Sequence, residues 1–333
     1  MNEIGSVVMM ETAYRPSACA FAPVDVVVPL YNNECFAVEA IQSALDQIYP
    51  IRKVIVVDDG SEDRSAAIVE EAFRAEPRVQ VVRAAHGGLP YARNIGIRNS
   101  EAEFIAFLDS DDLWHPEKIV RQMDEFQSDE GVLLVSCGFH DIDEEGRRIP
   151  GKVHARHSGW VHDVLLGGNF LSGGSAAIVR RDVFERVGLF DERLSYAEDW
   201  DMWLRIAKVG PVTMMDADLF GIRRHGSQMS ARGNRSKKIR VFKQHLAVWS
   251  KWTSEIEASP RAQAAVWRLI VSTALRAGSG VRSRLSVLGL GFRSVRKNLG
   301  EQVYWKLVWG WPVLLLLIVA EKIMPFRNSR HPS

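Results

Sequence analysis

The chain has 333 residues, with 42 lysines and arginines against 41 aspartates and glutamates, so its formal net charge is only +1. This length allows one large or two modest domains with a substantial core, and this charge balance argues against a protein that coats nucleic acid. The three cysteines, Cys19, Cys35 and Cys137, show no paired spacing, which indicates neither a disulfide framework nor a zinc cluster and favours a reducing compartment.

The first half of the chain alternates between strand and helix patterns. Residues 1–22 lack the basic start and long apolar run of a secretory signal, so we predict a flexible tail. Short apolar, β-branched runs then predict buried strands, and apolar residues at helical spacing between them predict helices. The strands are expected at 24–30, 53–57, 79–83 and 104–108, and the helices at 37–48, 65–75 and 90–99. This alternation predicts a parallel sheet with helices on both faces.

Three carboxylates, Asp109, Asp111 and Asp112, directly follow the strand predicted at 104–108. Clustered carboxylates repel one another unless a cation or hydrogen-bond donors compensate them, and Mg²⁺ or Mn²⁺ held by carboxylates and phosphate oxygens fits this set. Taken alone, the cluster is equally typical of an acidic surface turn. The strand ends at 29–34 and 58–61 should reach the same crevice, because ligands bind at the carboxyl ends of parallel strands. That convergence favours a metal and phosphate site.

The second half is less regular. A helix at 116–126 and a strand at 132–136 precede a polar segment, 140–159, that predicts a hairpin. Four glycines, at 167, 168, 173 and 174, then flank Asn169 and Phe170. This stretch either approaches a ligand or simply turns the chain. A strand is expected at 176–179, followed by a helix that begins at Asp182.

Two further segments carry charged side chains, and each segment allows two interpretations. Residues 196–208 (YAEDWDMWLRIAK) predict a helix with Glu198 and Asp199 in its first turn, which indicates either ordinary complementation of the helix dipole or an acid–base carboxylate opposite the metal site. Residues 221–230 (GIRRHGSQMS) place Arg224 and His225 in a glycine-flanked loop, which is suited to phosphate or is simply a solvated basic loop.

From residue 236 onward the chain is helical, aromatic and basic in composition. Residues 307–320 form an uncharged apolar run that is short for a membrane span and contains Pro312. Its tryptophans and the basic residues upstream favour a helix that lies at a membrane interface. A buried core helix and a true span are the alternatives.

Five motifs in order, VVVPLYNNE, VVDDGSEDRS, GLPYARNIGI, FIAFLDSDDLWHP and YAEDWDMWLRI, resemble those of family 2 glycosyltransferases over residues 24–230. The resemblance implies an α/β fold of GT-A type, with a mostly parallel nucleotide-binding sheet and flanking helices, to which the composition adds a helical C-terminal region. It also implies roles for nine side chains. Pro29, Tyr31 and Glu34 would line the nucleotide pocket, Asp59 would bind the base or ribose, Asp109 and Asp111 would hold Mn²⁺ or Mg²⁺ with Asp111 the more direct ligand, Asp199 would be the general base, and Arg224 and His225 would close over the diphosphate.

The resemblance over residues 24–230 and the composition outside it together give the expected organisation. We expect a tail (1–22), a nucleotide-sugar-binding α/β half (23–138), an acceptor-binding and catalytic half of the same GT-A domain (139–235), and a helical C-terminal region (236–333) with a membrane-interface helix at 303–324. The Q-x-x-R-W motif of processive synthases is missing, because Gln263 is followed by AAVWR. We therefore expect a non-processive enzyme that adds one sugar per acceptor encounter.

The implied activity is inverting hexosyl transfer from a nucleotide diphosphate sugar, foremost a UDP-sugar, to a hydroxyl of a lipid-linked or surface-polysaccharide glycan. The expected location is cytoplasmic, at the inner face of the cytoplasmic membrane, with peripheral membrane contact and no nucleic-acid partner. A non-catalytic nucleotide-sugar-binding or scaffolding protein of the same fold is the alternative. A haloacid-dehalogenase phosphatase would need its acidic pair at the end of the leading strand, and a dinucleotide oxidoreductase would need G-x-G-x-x-G where this chain has PLYNNE.

Overall fold

The structure is a computed structural model that describes residues 21–149, 157–226 and 235–276, together with 289, 292–293, 295–297 and 299–305. Almost all of the predicted tail and the whole apolar run at 307–320 lie outside the described residues. No helix in the described ranges combines the length and the apolar character that crossing a membrane requires.

Within the described residues, ten strands form one sheet in the order β3-β2-β1-β4-β9-β6-β10-β5, with β7 paired to β6 and β8 to β10. Their bounds are β1 Val24–Leu30, β2 Lys53–Asp58, β3 Val79–Arg83, β4 Phe104–Phe107, β5 Leu113–Trp114, β6 Leu134–Ile142, β7 Arg148–Ile149, β8 His157–Gly159, β9 Ile178–Arg180 and β10 Val212–Arg223.

The predicted parallel core is confirmed, but the sheet as a whole is mixed. β1 runs parallel to β2 and β4, and β2 runs parallel to β3. β9 then lies antiparallel between β4 and β6, and β6 pairs in parallel with β10. The predicted hairpin is present, since β6 and β7 pair antiparallel. β6 crosses the expected division at 138/139, so a single sheet serves both halves.

The strands form because their residues are apolar on both faces, as buried strands require. Along β1, Val26 and Val28 enter one core, beneath α1 and α4, while Val27 enters the other, beneath α7. Helices cover both faces as the alternation predicted. Their bounds are α1 Ala37–Leu45, α2 Ser65–Ala72, α3 Leu89–Asn99, α4 Lys118–Ser128, α5 His162–Leu166, α6 Val183–Val187, α7 Glu198–Val209, α8 Arg235–Trp249, α9 Thr253–Ala258 and α10 Pro260–Arg276.

The C-terminal helices pack against α5 and α7. Trp249 of α8 donates its indole N–H to the carbonyl of Leu166 at 2.9 Å. Lys251 lies 2.8 Å from Asp191 and 2.6 Å from the fully buried Asp201 of α7. The helical region therefore shares a core with the helix that carries Asp199.

Candidate active site

The carboxyl ends of β1, β2 and β4 converge at one edge of the sheet, as the strand-end rule predicted. The Asn33 amide, after β1, donates to Ser110 Oγ after β4 at 2.9 Å. The Asn32 backbone N–H donates to Ser61 Oγ after β2 at 3.1 Å. Side chains thus tie the three loops into one cleft.

The predicted nucleotide side of this cleft carries an aromatic stack. Tyr31 is 42% exposed, and its ring stacks on that of His86, with centroids 4.3 Å apart and planes 27° apart. Glu34 accepts the backbone N–H of Arg64 at 3.1 Å. Pro29 is buried within β1, opposite Val57 of β2, and its predicted place in the nucleotide pocket stays a prediction.

Asp59 is buried, and its carboxylate fixes the start of α3. It accepts the backbone N–H groups of Gly87 and Gly88 at 2.7 and 2.8 Å, and His86 Nδ1 lies 3.0 Å from its Oδ2. α3 has no capping side chain of its own, so Asp59 complements the first turn of this helix from outside. Its contact with a base or ribose stays a prediction.

The acidic turn after β4 has two members that face the cleft and one that is buried. The side chains of Asp109 and Asp111 are 32% and 23% exposed. Asp112 is buried and accepts Ser175 Oγ at 2.6 Å and the backbone N–H of Arg223 at 3.3 Å. Burial, and then the charge of Asp109, raise the pKa of Asp111; burial above all raises the pKa of Asp112.

The two cleft-facing carboxylates fit a hard divalent cation. Arg93 bonds Oδ1 of Asp109 at 2.8 Å and His225 Nε2 lies 3.0 Å from Oδ2 of Asp111, so each contact uses one oxygen of its carboxylate. The described residues contain no group of three or more His, Cys, Asp or Glu placed to hold a metal. Mg²⁺-type sites commonly use only one or two carboxylates and complete their shell with phosphate oxygens and water.

Arg93 joins the acidic turn to the start of α7. Its side chain is 2% exposed, and its Nη2 and Nη1 lie 2.8 Å from Asp109 Oδ1 and 2.8 Å from Glu198 Oε1 respectively. Arg93 lies within the motif GLPYARNIGI, but the sequence alone did not indicate a role for it. Its signal was an arginine among the buried positions of an amphipathic helix, next to Ala92 and Asn94. Such a side chain requires a buried anionic partner.

Asp199 lies on the same cleft. Its Oδ1 accepts the N–H of Trp200 at 2.7 Å and its Oδ2 accepts the Asn169 amide at 3.1 Å. Burial raises the pKa of Asp199, and the Arg93 charge opposes that rise. Burial, and then the charge of Asp199, raise the pKa of Glu198 to about 7.

The non-glycine residues with left-handed backbone conformation lie in loops around this cleft. Within the described residues, only Asn32, Ser172 and Ala197 combine a side chain with positive φ, at 46°, 63° and 62°. They belong to the loop after β1, to the loop before β9 and to the turn into α7. Non-glycine residues in this region are strained, and such strain concentrates at functional sites.

The basic loop after β10 splits its side chains between two places. His225 contacts Asp111, as described above, whereas Arg224 pairs with Asp141 at 2.5 Å. The neighbouring Arg223 is fully buried, and its Nε donates to the carbonyl of Asp111 at 3.0 Å. Arg223 thus shapes the acidic turn, a role that the sequence had not indicated.

The mixed sheet, its strand-end cleft and the facing carboxylates define a glycosyltransferase of GT-A fold. The model for "Glycosyl transferase family 2" matches residues 25–188. An uncharacterized glycosyltransferase of Rickettsia typhi is 30% identical over 252 residues, which cover 74% of this chain and 75% of that protein. The chain therefore belongs to the family 2 glycosyltransferases.

The chain is also similar to other glycosyltransferases, among them two of known structure. Chondroitin synthase of Escherichia coli is 27% identical over 224 residues, which are 66% of this chain and 32% of that protein. The structure of S. aureus TarS 1–349 with UDP-GlcNAc is similar with a TM-score of 0.59 and 18% identity, covering 83% of this chain and 82% of that one. The mannosyltransferase PcManGT from Pyrobaculum calidifontis, with GDP-Man and Mn²⁺, is similar with a TM-score of 0.54 and 18% identity, covering 96% of this chain and 91% of that one. These similarities confirm the predicted fold.

Proposed function

We propose that this glycosyltransferase inverts the anomeric centre and moves one sugar from a nucleotide diphosphate sugar to an acceptor hydroxyl. The observation that carries the proposal is the Arg93 bridge, with 2.8 Å contacts to both Asp109 and Glu198. Through it, the acidic turn with Asp109 and Asp111 is tied to the first turn of α7, where Asp199 follows Glu198. Inversion needs a base on the face of the sugar opposite the leaving group, and we assign these two sides to the α7 turn and the acidic turn.

Asp199 is the proposed general base. It is half-buried, so it can meet a hydroxyl in the cleft, and burial raises its pKa toward the working range of a base. In this assignment Asp199 takes the proton from the acceptor hydroxyl while the hydroxyl oxygen bonds to the anomeric carbon and the bond from that carbon to the diphosphate oxygen breaks. General-base assistance of this kind contributes about 10²- to 10⁴-fold.

Asp109 and Asp111 are the proposed holders of Mn²⁺ or Mg²⁺. When bound, the cation would neutralise charge on the departing nucleoside diphosphate. Asp111 is oriented for this by His225 on its side chain and by Arg223 on its backbone. Arg224 lies in the same loop and is proposed to contact the diphosphate, which would require it to leave Asp141.

The proposed donor is a UDP-sugar, with the base near the exposed Tyr31 ring and the ribose or base near Asp59. The Tyr31 and His86 stack offers a flat aromatic face of the kind on which a base can stack. TarS was solved with UDP-GlcNAc and PcManGT with GDP-Man, so UDP-N-acetylglucosamine and GDP-mannose are the donors to test first.

The proposed acceptor is a lipid-linked or surface-polysaccharide glycan, met at the inner face of the cytoplasmic membrane. The similarity to a chondroitin synthase supports polysaccharide synthesis as the setting. The apolar run at 307–320, within the predicted interface helix 303–324, supplies the proposed membrane contact. The four segments expected from the sequence remain the proposed domain organisation of the chain.

A non-catalytic protein that only binds nucleotide sugars is the second candidate. The presence of Asp111 and Asp199 together, with Arg93 between their segments, favours catalysis.

The test is turnover of UDP-N-acetylglucosamine and GDP-mannose with Mn²⁺, together with a thermal-shift screen of the same ligands. Asp199→Asn should lower turnover by about 10²- to 10⁴-fold and leave the donor-induced shift in melting temperature intact. Asp163→Asn is the matched control, since Asp163 is an exposed acid in the first turn of α5. Near wild-type turnover by Asp199→Asn would refute the assignment. If the donors shift the melting temperature but neither of them is turned over, the result would support the non-catalytic binding protein.

A further inference from the structure

The glycine-rich loop at 167–174, hereafter the Asn169 loop, lies directly against the proposed base. The Asn169 amide Nδ2 donates to Asp199 Oδ2 at 3.1 Å. A Cβ added to Gly173 would lie 3.8 Å from the same oxygen, and one added to Gly174 would lie 2.4 Å from Arg93 Nη2. This loop therefore lies beside Asp199 and Arg93; its approach to a ligand stays a prediction.

The side chain of Asn169 is exposed, yet the surrounding loop orients it. Its Oδ1 accepts the backbone N–H of Leu171 at 3.0 Å, which forms a local turn. The carbonyl of Leu171 in turn accepts Ser136 Oγ from β6 at 2.5 Å. The amide is thus anchored through its oxygen, and its nitrogen points at Asp199.

We propose that Asn169 is a positioning residue for Asp199, which holds Oδ2 in place so that the carboxylate presents a fixed lone pair to the acceptor hydroxyl. This proposal rests on the proposed role of Asp199 as base. It concerns a residue outside the five sequence motifs.

The geometry explains why one more donor matters. The Trp200 N–H holds Oδ1 at 2.7 Å and Asn169 holds Oδ2 at 3.1 Å, so both oxygens are fixed and the carboxylate cannot rotate freely. A carboxylate oxygen accepts more than one hydrogen bond, so Oδ2 can hold the Asn169 amide and still receive a hydroxyl. An amide is also a neutral donor, which orients the base with less loss of basicity than a cation would cause.

Other charged or titratable groups face Asp199 from every side. They are Arg93 of α3, Asp109 after β4, Glu198 of its own helix, His245 of α8 and Tyr196 just before α7. Arg93 and His245 favour the ionised carboxylate, whereas Asp109 and Glu198 oppose it. All of them remain when Asn169 is replaced. Loss of the amide donor alone should then raise the pKa of Asp199 further.

The first experiment needs no substrate. Infrared difference spectra of the full-length protein are recorded over a range of pH. The protonated-carboxyl band that is present in wild type and absent from Asp199→Asn is assigned to Asp199. Asn169→Ala should move the midpoint of that band to higher pH. Asn99→Ala is the matched control, because Asn99 is exposed and its amide donates to the carbonyl of Ile95 at 2.8 Å. An unchanged midpoint in Asn169→Ala would overturn the proposal.

The second experiment follows turnover of UDP-N-acetylglucosamine and GDP-mannose with Mn²⁺ and water as acceptor. Asn169→Ala should lower kcat by about 10- to 100-fold with the donor KM unchanged, as expected for a misplaced catalytic group. Asn169→Asp keeps the oxygen that accepts the Leu171 N–H but replaces the donor by a second carboxylate. The rate of this variant should therefore decrease at higher pH, because the two neighbouring carboxylates then lose the proton that they share.

The two failures can be told apart. If Asp199→Asn retains turnover, the general-base assignment fails whatever Asn169 does. If Asp199→Asn loses turnover while Asn169→Ala and Asn169→Asp keep wild-type pH profiles, the positioning role of Asn169 fails alone.

Discussion

A single buried guanidinium compensates carboxylates from two distant parts of the chain. Arg93 is 1% exposed and contacts Asp109 and Glu198. Breaking a buried ion pair by removing one partner commonly costs about 3–5 kcal/mol. The cost should be smaller here, because Asp109 is partly exposed and the raised pKa of Glu198 lets it take up a proton. We therefore predict that Arg93→Met lowers the free energy of unfolding by less than about 3 kcal/mol and abolishes turnover. Arg93→Lys should recover part of the stability but little activity, because an ammonium does not span both carboxylates as the planar fork does.

Urea unfolding and donor turnover of the same preparations check this prediction. Arg98→Met is the control, since Arg98 is exposed in the last turn of the same helix. If Arg93→Met and Arg98→Met were equally stable, the two carboxylates would not depend on the bridge.

Glu198 gives the cleft a pH dependence whose sign can be worked out. Its pKa rises from an ordinary value of 4.5 to about 7 in the folded chain, because burial and the Asp199 charge outweigh Arg93. Between these two values the folded state holds a proton that the unfolded state has released. Stability from this group is therefore lost as pH rises from 4.5 to about 7.

Glu198→Gln cannot titrate, so we predict that wild type loses stability relative to this variant across that pH range. Urea unfolding of both proteins at several pH values measures the difference. A relative gain by wild type with rising pH would mean that Arg93 dominates and keeps Glu198 ionised.

Helix α3 reaches the site only because it packs closely on β1. A Cβ on Gly96 would lie 2.2 Å from Val27 Cγ1. Gly96→Ala gains up to about 1 kcal/mol of helix propensity, but overpacking typically costs about 1–3 kcal/mol. We predict net destabilisation together with reduced turnover, since α3 carries Arg93. Gly226→Ala is the control for stability, because no atom of the described residues lies within 4 Å of the added Cβ; equal urea midpoints for the two variants would contradict the close packing.

The elements also explain which features the sequence could predict. Periodicity encodes buried strands and amphipathic helices, so the parallel core and the converging strand ends followed from it. A three-residue strand such as β9 carries no signal for its direction, so its antiparallel place between β4 and β6 was missed. The partners of Arg93 were missed for a related reason. Glu198 lies 105 residues away along the chain, and residue types alone do not identify a contact across that separation.

The C-terminal helices share one hydrophobic core with α5 and α7. Besides the Trp249 and Lys251 contacts on α5 and α7, Lys208 of α7 pairs with Glu255 of α9 at 3.0 Å. Val295, Leu299 and Val303 are fully or almost fully buried in the same core. Helix α7, which carries Asp199, is thus packed against the C-terminal helices, and we expect one cooperative unfolding transition for both regions.

This arrangement separates folding from the proposed membrane contact. Deleting residues 307–333 leaves Val295, Leu299 and Val303 in place, so the melting temperature and donor turnover should stay at wild-type values. The same deletion removes the predicted interface run, so the protein should move from the membrane pellet to the soluble fraction when cells are fractionated. Deleting residues 277–333 also removes those three core residues, and burial of each such side chain contributes about 1.5–3 kcal/mol; this longer deletion should lower the melting temperature sharply. Continued sedimentation of the 307–333 deletion with membranes would place the membrane contact elsewhere in the chain.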